Sequence, residues 1–257
     1  MMHIDEIRSF PLPGRWTVHS YYSLDPYAPD GSGRILCAGA DYEKNVGEVY
    51  VLDADGHVLD SFGRQRVGAI FYHTGLWQAW GRDAETVCYQ AADGDMLHPR
   101  LRVRELKSGR EWTADADMEG APVYGEPIFY GMSGIYYAAG YGDGRYHPEW
   151  SPVPFAERDR HGLFCVRPST GERRLVLSVN DVLAIHPLRE RLLEEDERTA
   201  ARTGTPATLM IYCARYNRSG SRILFHFGYH CTDRRRGRPH LLSLFTARCD
   251  RDGRRRP

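Results

Sequence analysis

Along the chain, β-branched and aromatic residues alternate with polar ones in short runs, and most runs close on a turn containing Gly, Pro, Asn or Asp. Such period-2 segments read as half-buried strands. The clearest series is EVYVLDADGHVLDSFG, LRVRELKSGREWTADA, GLFCVRPSTGERRLVLSV and LLSLFTARCDRDGRRRP, with turn glycines at Gly56, Gly109, Gly171 and Gly253. A second series precedes each of these hairpins: DPYAPDGSGRILCAG, LWQAWGRDAETVCYQ, EPIFYGMSGIYYAAG and CARYNRSGSRILFHF. Each again places a turn before a strand-like run, so each unit is two hairpins.

Four strands per unit, repeating at roughly fifty residues plus insertions, predict an all-β propeller, because a single four-stranded sheet cannot bury both faces alone. The units fall at 16–63, 69–117, 121–179 and 207–257. Between the third and fourth, SVNDVLAIHPLRERLLEEDERTAARTG spaces Val182, Leu183, Ile185, Leu188, Leu192 and Leu193 helically among charges. This predicts a helical insertion over 180–204, with Asn180 or Asp181 as its N-cap. The fourth unit stops in its last turn, and the array of about four blades is expected to be incomplete.

The 257 residues, 42% hydrophobic, can bury a sizeable core. Lys+Arg and Asp+Glu both number 34, which removes the global field of a nucleic-acid or membrane-surface binder. The basic runs DRRRGRP (233–239) and RDGRRRP (251–257) read as a solvated loop and tail. No window is apolar enough to span a bilayer, and the start lacks the apolar core of a secretory signal, so a cytoplasmic protein is expected. The six cysteines form no C-x-x-C pair and sit mostly in strand-like runs, as free thiols.

Several stretches resemble the β-propeller polysaccharide lyases, especially the ulvan lyase-like families and more distantly the oligogalacturonate lyases. These are YYSLDPYAPDGSGRILCAGAD, FYHTGLWQAWGRDAETVCYQ, HGLFCVRPSTGERRLVLSVNDVL and YCARYNRSGSRILFHF. Members of these families have seven blades and are commonly exported, whereas this chain has about four and no export signal. The resemblance implies β-elimination on a uronate-containing polysaccharide or oligosaccharide, with an anionic carbohydrate as partner.

Such chemistry needs a base, an acid and a cation at the uronate carboxylate. His73, in FYHTGLW, is a candidate base or a group that holds the substrate carboxylate, and His98 a second site histidine. The run GIYYAAGYGDGRYHPEW offers Tyr137 or Tyr141 as the acid and base of a syn elimination and Arg145 as the neutralising cation, with Tyr141, Tyr146 and Trp77 as sugar contacts. Each has a plainer reading, as a strand histidine bonded to backbone, a loop histidine, or tyrosines packed between blades. Cys213, His226, His230 and Cys231 gather around one predicted hairpin as a zinc-compatible ligand set, and the resembled families often carry a structural zinc. The rival functions are a non-catalytic propeller, either a binding scaffold or an inactive truncated lyase relative, which unclosed blades would incline to self-association, and glycoside hydrolysis. The latter needs two facing carboxylates, and only scattered ones are present: Asp93, Asp95, Asp143 and Glu149.

Overall fold

The structure, a computed structural model, describes residues 9–10, 12–21, 24–67, 71–91, 99–116, 128–131, 134–140, 145–204, 208–217, 219, 221–229 and 242–248. These form four antiparallel sheets laid down one after another along the chain. The first is β1 (Trp16–Val18), β2 (Ile35–Asp41), β3 (Val46–Leu52) and β4 (Val58–Arg66). The second is β5 (Ala79–Trp80), β6 (Thr86–Ala91), β7 (Arg100–Glu105) and β8 (Glu111–Ala114). The third orders β9 (Ile128–Tyr130), β10 (Gly162–Arg167) and β11 (Glu172–Ser178), and the fourth orders β12 (Leu209–Tyr216), β13 (Arg222–Tyr229) and β14 (Leu242–Arg248).

Neighbouring strands in every sheet are neighbours in sequence order, the up-and-down meander of a propeller blade. Gly56, Gly109 and Gly171 turn the hairpins β3–β4, β7–β8 and β10–β11 with φ of 89°, 68° and 72°, a region that only glycine enters without cost. Gly253, the fourth turn glycine of the series, lies outside the described residues.

Side-chain alternation builds the core between sheets. Leu36, Ala38 and Ala40 of β2 and Val49 and Val51 of β3 meet Val87 and Tyr89 of the second sheet. On its other face the first sheet sets Cys37 and Tyr50 against Leu12 and Phe10. Cys88 and Leu101 of the second sheet meet Phe164 and Val166 of the third. Leu163 and Cys165, on the opposite face of β10, pack with Ile211, Phe225 and Phe227 of the fourth sheet. Three interfaces between consecutive sheets make the molecule an all-β propeller array, each buried large apolar side chain contributing about 1.5–3 kcal/mol. Polar ties reinforce the first interface: Arg104 lies over the Phe62 ring at 4.6 Å and pairs with Asp60 and Glu111 at 3.4 Å each.

Four features depart from the sequence reading. Phe71–Thr74 forms a short helix, α1, so His73 lies on a helical turn. The run after Gly134, expected as a strand, is also helical: α2 spans Ile135–Ala138, with Ala138 N–H bonded to Gly134 O at 2.9 Å and Ala139 N–H to Ile135 O at 3.0 Å. Burial explains it, because Ile135, Ala138 and Ala139 are all sealed in the core beside Phe155 and Tyr130, and packing overrides the strand preference of tyrosine. As a result β9 pairs directly with β10, Phe164 opposite Tyr130. The insertion contains α3 (Val179–Ile185) and α4 (Arg189–Thr203), with α3 capped two or three residues earlier than expected. Ser178 is the N-cap and Asp181 the reciprocal partner of a capping box. Finally, the third and fourth sheets show three strands each among the described residues.

Candidate functional site

The segment between the first and second sheets is held by backbone and amide bonds. Gly75 N–H closes α1 on Phe71 O at 2.8 Å, and Trp77 N–H reaches Thr74 O at 3.0 Å. The buried Gln78 then staples this turn to β1: its Nε2 donates to Val18 O at 2.9 Å and its Oε1 accepts from Leu76 N–H at 3.0 Å. Ser20 Oγ donates to Thr74 O at 3.3 Å. Ser20 and Trp77 adopt φ of 104° and 53°. Left-handed conformations at non-glycine residues cost energy and persist where surroundings over-determine them, commonly at functional sites.

The outcome is a cluster around Tyr21. The Tyr21 ring is 5.1 Å from His73, edge to face at 84°, and 5.1 Å from Trp77, tilted by 38°. From the fourth sheet the Arg215 guanidinium carbon lies 5.4 Å from the Tyr21 ring centroid. Arg215 follows an irregularity in the β12–β13 register, where Cys213 takes φ 52°. The bulge re-aims the strand, so a side chain far along the chain reaches a loop near its beginning. Tyr137 joins from α2: its hydroxyl accepts from Gln90 Nε2 at 3.4 Å, and Gln90 N–H bonds Leu76 O at 2.8 Å. The β1–β2 connection, the segment between the first two sheets, the second and fourth sheets and α2 thus all contribute to one cluster.

His73 is exposed, while Tyr21 and Arg215 are partly so. Trp77 and Tyr137 are 4% and 8% exposed and serve as walls. A cation, an imidazole and an aromatic face open to solvent suit an anionic ligand with an apolar face. Tyr146 packs against the same core, its ring 6.0 Å from Phe155. Arg145 is exposed on the segment that returns beside α2, where His147 N–H bonds Ala138 O at 2.9 Å. His98 and Tyr141 lie outside the described residues, as do Asp93, Asp95 and Asp143. Sequence reasoning missed Tyr21 and Arg215. Both sit within segments that carry the family resemblance, but no local spacing signals a contact between positions so far apart.

The zinc expectation finds no support. Cys213 is partly buried at the bulge, His226 stacks edge-on to Tyr212 at 5.2 Å, and His230 and Cys231 lie outside the described residues. The described group with metal-ligand chemistry is Asp53, Asp55 and His57 in the β3–β4 turn, ligand atoms within 4.8 Å of one another. There Asp53 Oδ1 accepts from the N–H groups of Asp55 at 2.9 Å and His57 at 2.8 Å, and Oδ2 meets His57 Nδ1 at 3.1 Å. These bonds, led by the one from His57 N–H, hold the Asp53 carboxyl below its ordinary range. They are the bonds that close the turn. No helix among the described residues is long and apolar enough to cross a membrane.

No family model matches the chain, and a search of curated proteins gives no match. Among solved structures it is similar to an oligogalacturonate lyase in complex with manganese, at 15% identity and a TM-score of 0.45, over 95% of this chain and 53% of that one. It is similar to a structure from an analysis of two prolyl endopeptidases, at 10% identity and a TM-score of 0.48, over 95% of this chain and 28% of that one. A third is the β-propeller domain of the Trilobed protease from Pyrococcus furiosus, described as having an open velcro topology, at 11% identity and a TM-score of 0.37, over 85% and 51%. The chain therefore spans about half the length of the first and third of these structures and under a third of the second.

Proposed function

We propose that the chain acts on a uronate-containing polysaccharide or oligosaccharide by β-elimination, with the Tyr21 cluster as its site. The observation that carries this reading is that His73 and Arg215 both contact the partly exposed Tyr21 ring, which brings an imidazole and a cation to one side chain. In the reaction His73 removes the C5 proton and the electron pair moves toward the carboxylate as an enolate-like state develops. A guanidinium offsets that charge. Arg215 has the position for it and Arg145 is the second candidate. The C4–O bond then breaks as the C4–C5 double bond forms, and a phenol protonates the leaving oxygen. Tyr137 is the candidate from sequence, and Tyr21 is the more open of the two.

Binding without turnover is the second reading, favoured by the burial of Trp77 and Tyr137. One experiment separates them: ultraviolet absorbance of the unsaturated uronyl product after mixing the protein with pectate, ulvan and glycosaminoglycans. A rising signal that His73→Ala abolishes supports elimination. A flat trace on every polyuronate, with retained affinity for one of them, leaves a binding module.

A further inference from the structure

Away from this cluster, a cavity of about 300 Å³ opens between α3, β11 and one end of the fourth sheet. Its volume is at the lower end of the range for small-molecule sites. The floor is apolar, with Val182, Phe225, Phe245 and Ala247 among its lining residues. Its mouth is cationic. Arg222 opens β13 and Arg248 closes β14, and the two are directly opposite in the β13–β14 register.

Like charges placed opposite each other across two strands are destabilising. Neither guanidinium is recorded with an acidic partner among the described residues, and both side chains are exposed. Asp181 also lines the cavity, but its Oδ2 already accepts from Ser178 N–H at 2.9 Å and Ser178 Oγ at 3.0 Å. The mouth therefore carries two cations against one engaged carboxylate.

We propose that this cavity binds a small amphipathic anion, an apolar chain or ring bearing a carboxylate. The apolar body occupies the floor beside Phe225 and Phe245, and the carboxylate bridges Arg222 and Arg248. The inference goes beyond the elimination reading and stands or falls separately, because it shares no residue with the Tyr21 cluster.

Calorimetric titration of the full chain with octanoate, octanol and acetate tests it. Octanoate should bind saturably and more tightly than octanol or acetate, since charge and chain are both needed. The double variant Arg222→Gln/Arg248→Gln should weaken octanoate by about tenfold or more and leave octanol unchanged, as expected for loss of charge-assisted hydrogen bonds. Ile185, 68% exposed at the rim, supplies a second variant: Ile185→Asp should also weaken octanoate. His73→Ala should not alter it. Equal affinity for octanol and octanoate, unchanged octanoate affinity in the double arginine variant, or no binding at millimolar concentration would each overturn the proposal.

Discussion

In the proposed reading Arg215 is the cation that an anionic sugar meets beside Tyr21, so Arg215→Ala should raise KM for a polyuronate by about tenfold or more, while Arg215→Lys restores part of it. His73→Ala should chiefly lower kcat, by about 10²–10⁴-fold, the usual yield of a general base, with a smaller loss of binding. Steady-state kinetics on the best polyuronate separates the two effects. A different residue governs behaviour in acid. His161 is fully buried, bonds Phe155 O through Nε2 at 3.1 Å, and has no partner for Nδ1 among the described residues. Burial, the largest cause, pushes its pKa below the ordinary value. The folded state thus binds its proton less readily than the unfolded chain. Its stabilising contribution is complete above the unfolded value of about 6.5 and is lost as pH falls through the lower folded value. The urea midpoint should fall as pH drops from about 6.5 toward the lower folded value, and His161→Phe should flatten the dependence. An equal slope in the variant would assign the effect elsewhere. His73 is a site candidate from the sequence alone, but the parts of Arg215 and His161 are not legible there, because both are ordinary members of strand-like runs; their roles come from burial and from contacts between distant segments.

At Ser178 the local rules are clearer. Its Oγ accepts from Asp181 N–H at 3.0 Å, and Asp181 returns a bond to Ser178 N–H at 2.9 Å. Ser178→Ala should cost about 1 kcal/mol, the typical value of an N-cap, measurable by urea unfolding. Beyond α3, His186 Nδ1 accepts from Leu188 N–H at 2.9 Å, which leaves Nε2 to donate to Ser243 Oγ at 2.9 Å and ties the insertion to β14. The β10–β11 hairpin has a steric requirement instead. A Cβ on Gly162, at φ 154°, would collide with the Leu177 carbonyl oxygen, so Gly162→Ala should destabilise by about 2 kcal/mol or more. Turns at Gly56, Gly109 and Gly171 could be read from sequence because turn chemistry is local. The helices α1 and α2 could not, since FYHT and IYYA carry strand-favouring residues and become helical only through their packing. The cap was misplaced for a related reason: Asn180, Asp181 and Ser178 are all competent caps, and strand β11 decides where the helix begins.

The stacked sheets bury their facing sides against one another and leave apolar groups on the outermost ones. Trp16 and Leu59 of the first sheet are 71% and 57% exposed, and Leu244 of the fourth is 61% exposed. Light scattering should therefore show concentration-dependent association that Leu244→Lys reduces. A monodisperse monomer at high concentration would contradict this. The repeat of strands and turns made the propeller class readable from the chain, whereas the meeting of the first, second and fourth sheets at Tyr21 depends on how the array curls and left no local trace. That meeting is also what the functional reading rests on. The most direct test is a double-mutant cycle in the binding of saturated oligouronates, measured by calorimetry for the parent, His73→Ala, Arg215→Ala and the double variant. The account predicts that each single variant weakens binding and that their effects couple by more than about 0.5 kcal/mol, as for groups acting on one ligand. Unchanged affinity in both single variants for a bound oligouronate would contradict it.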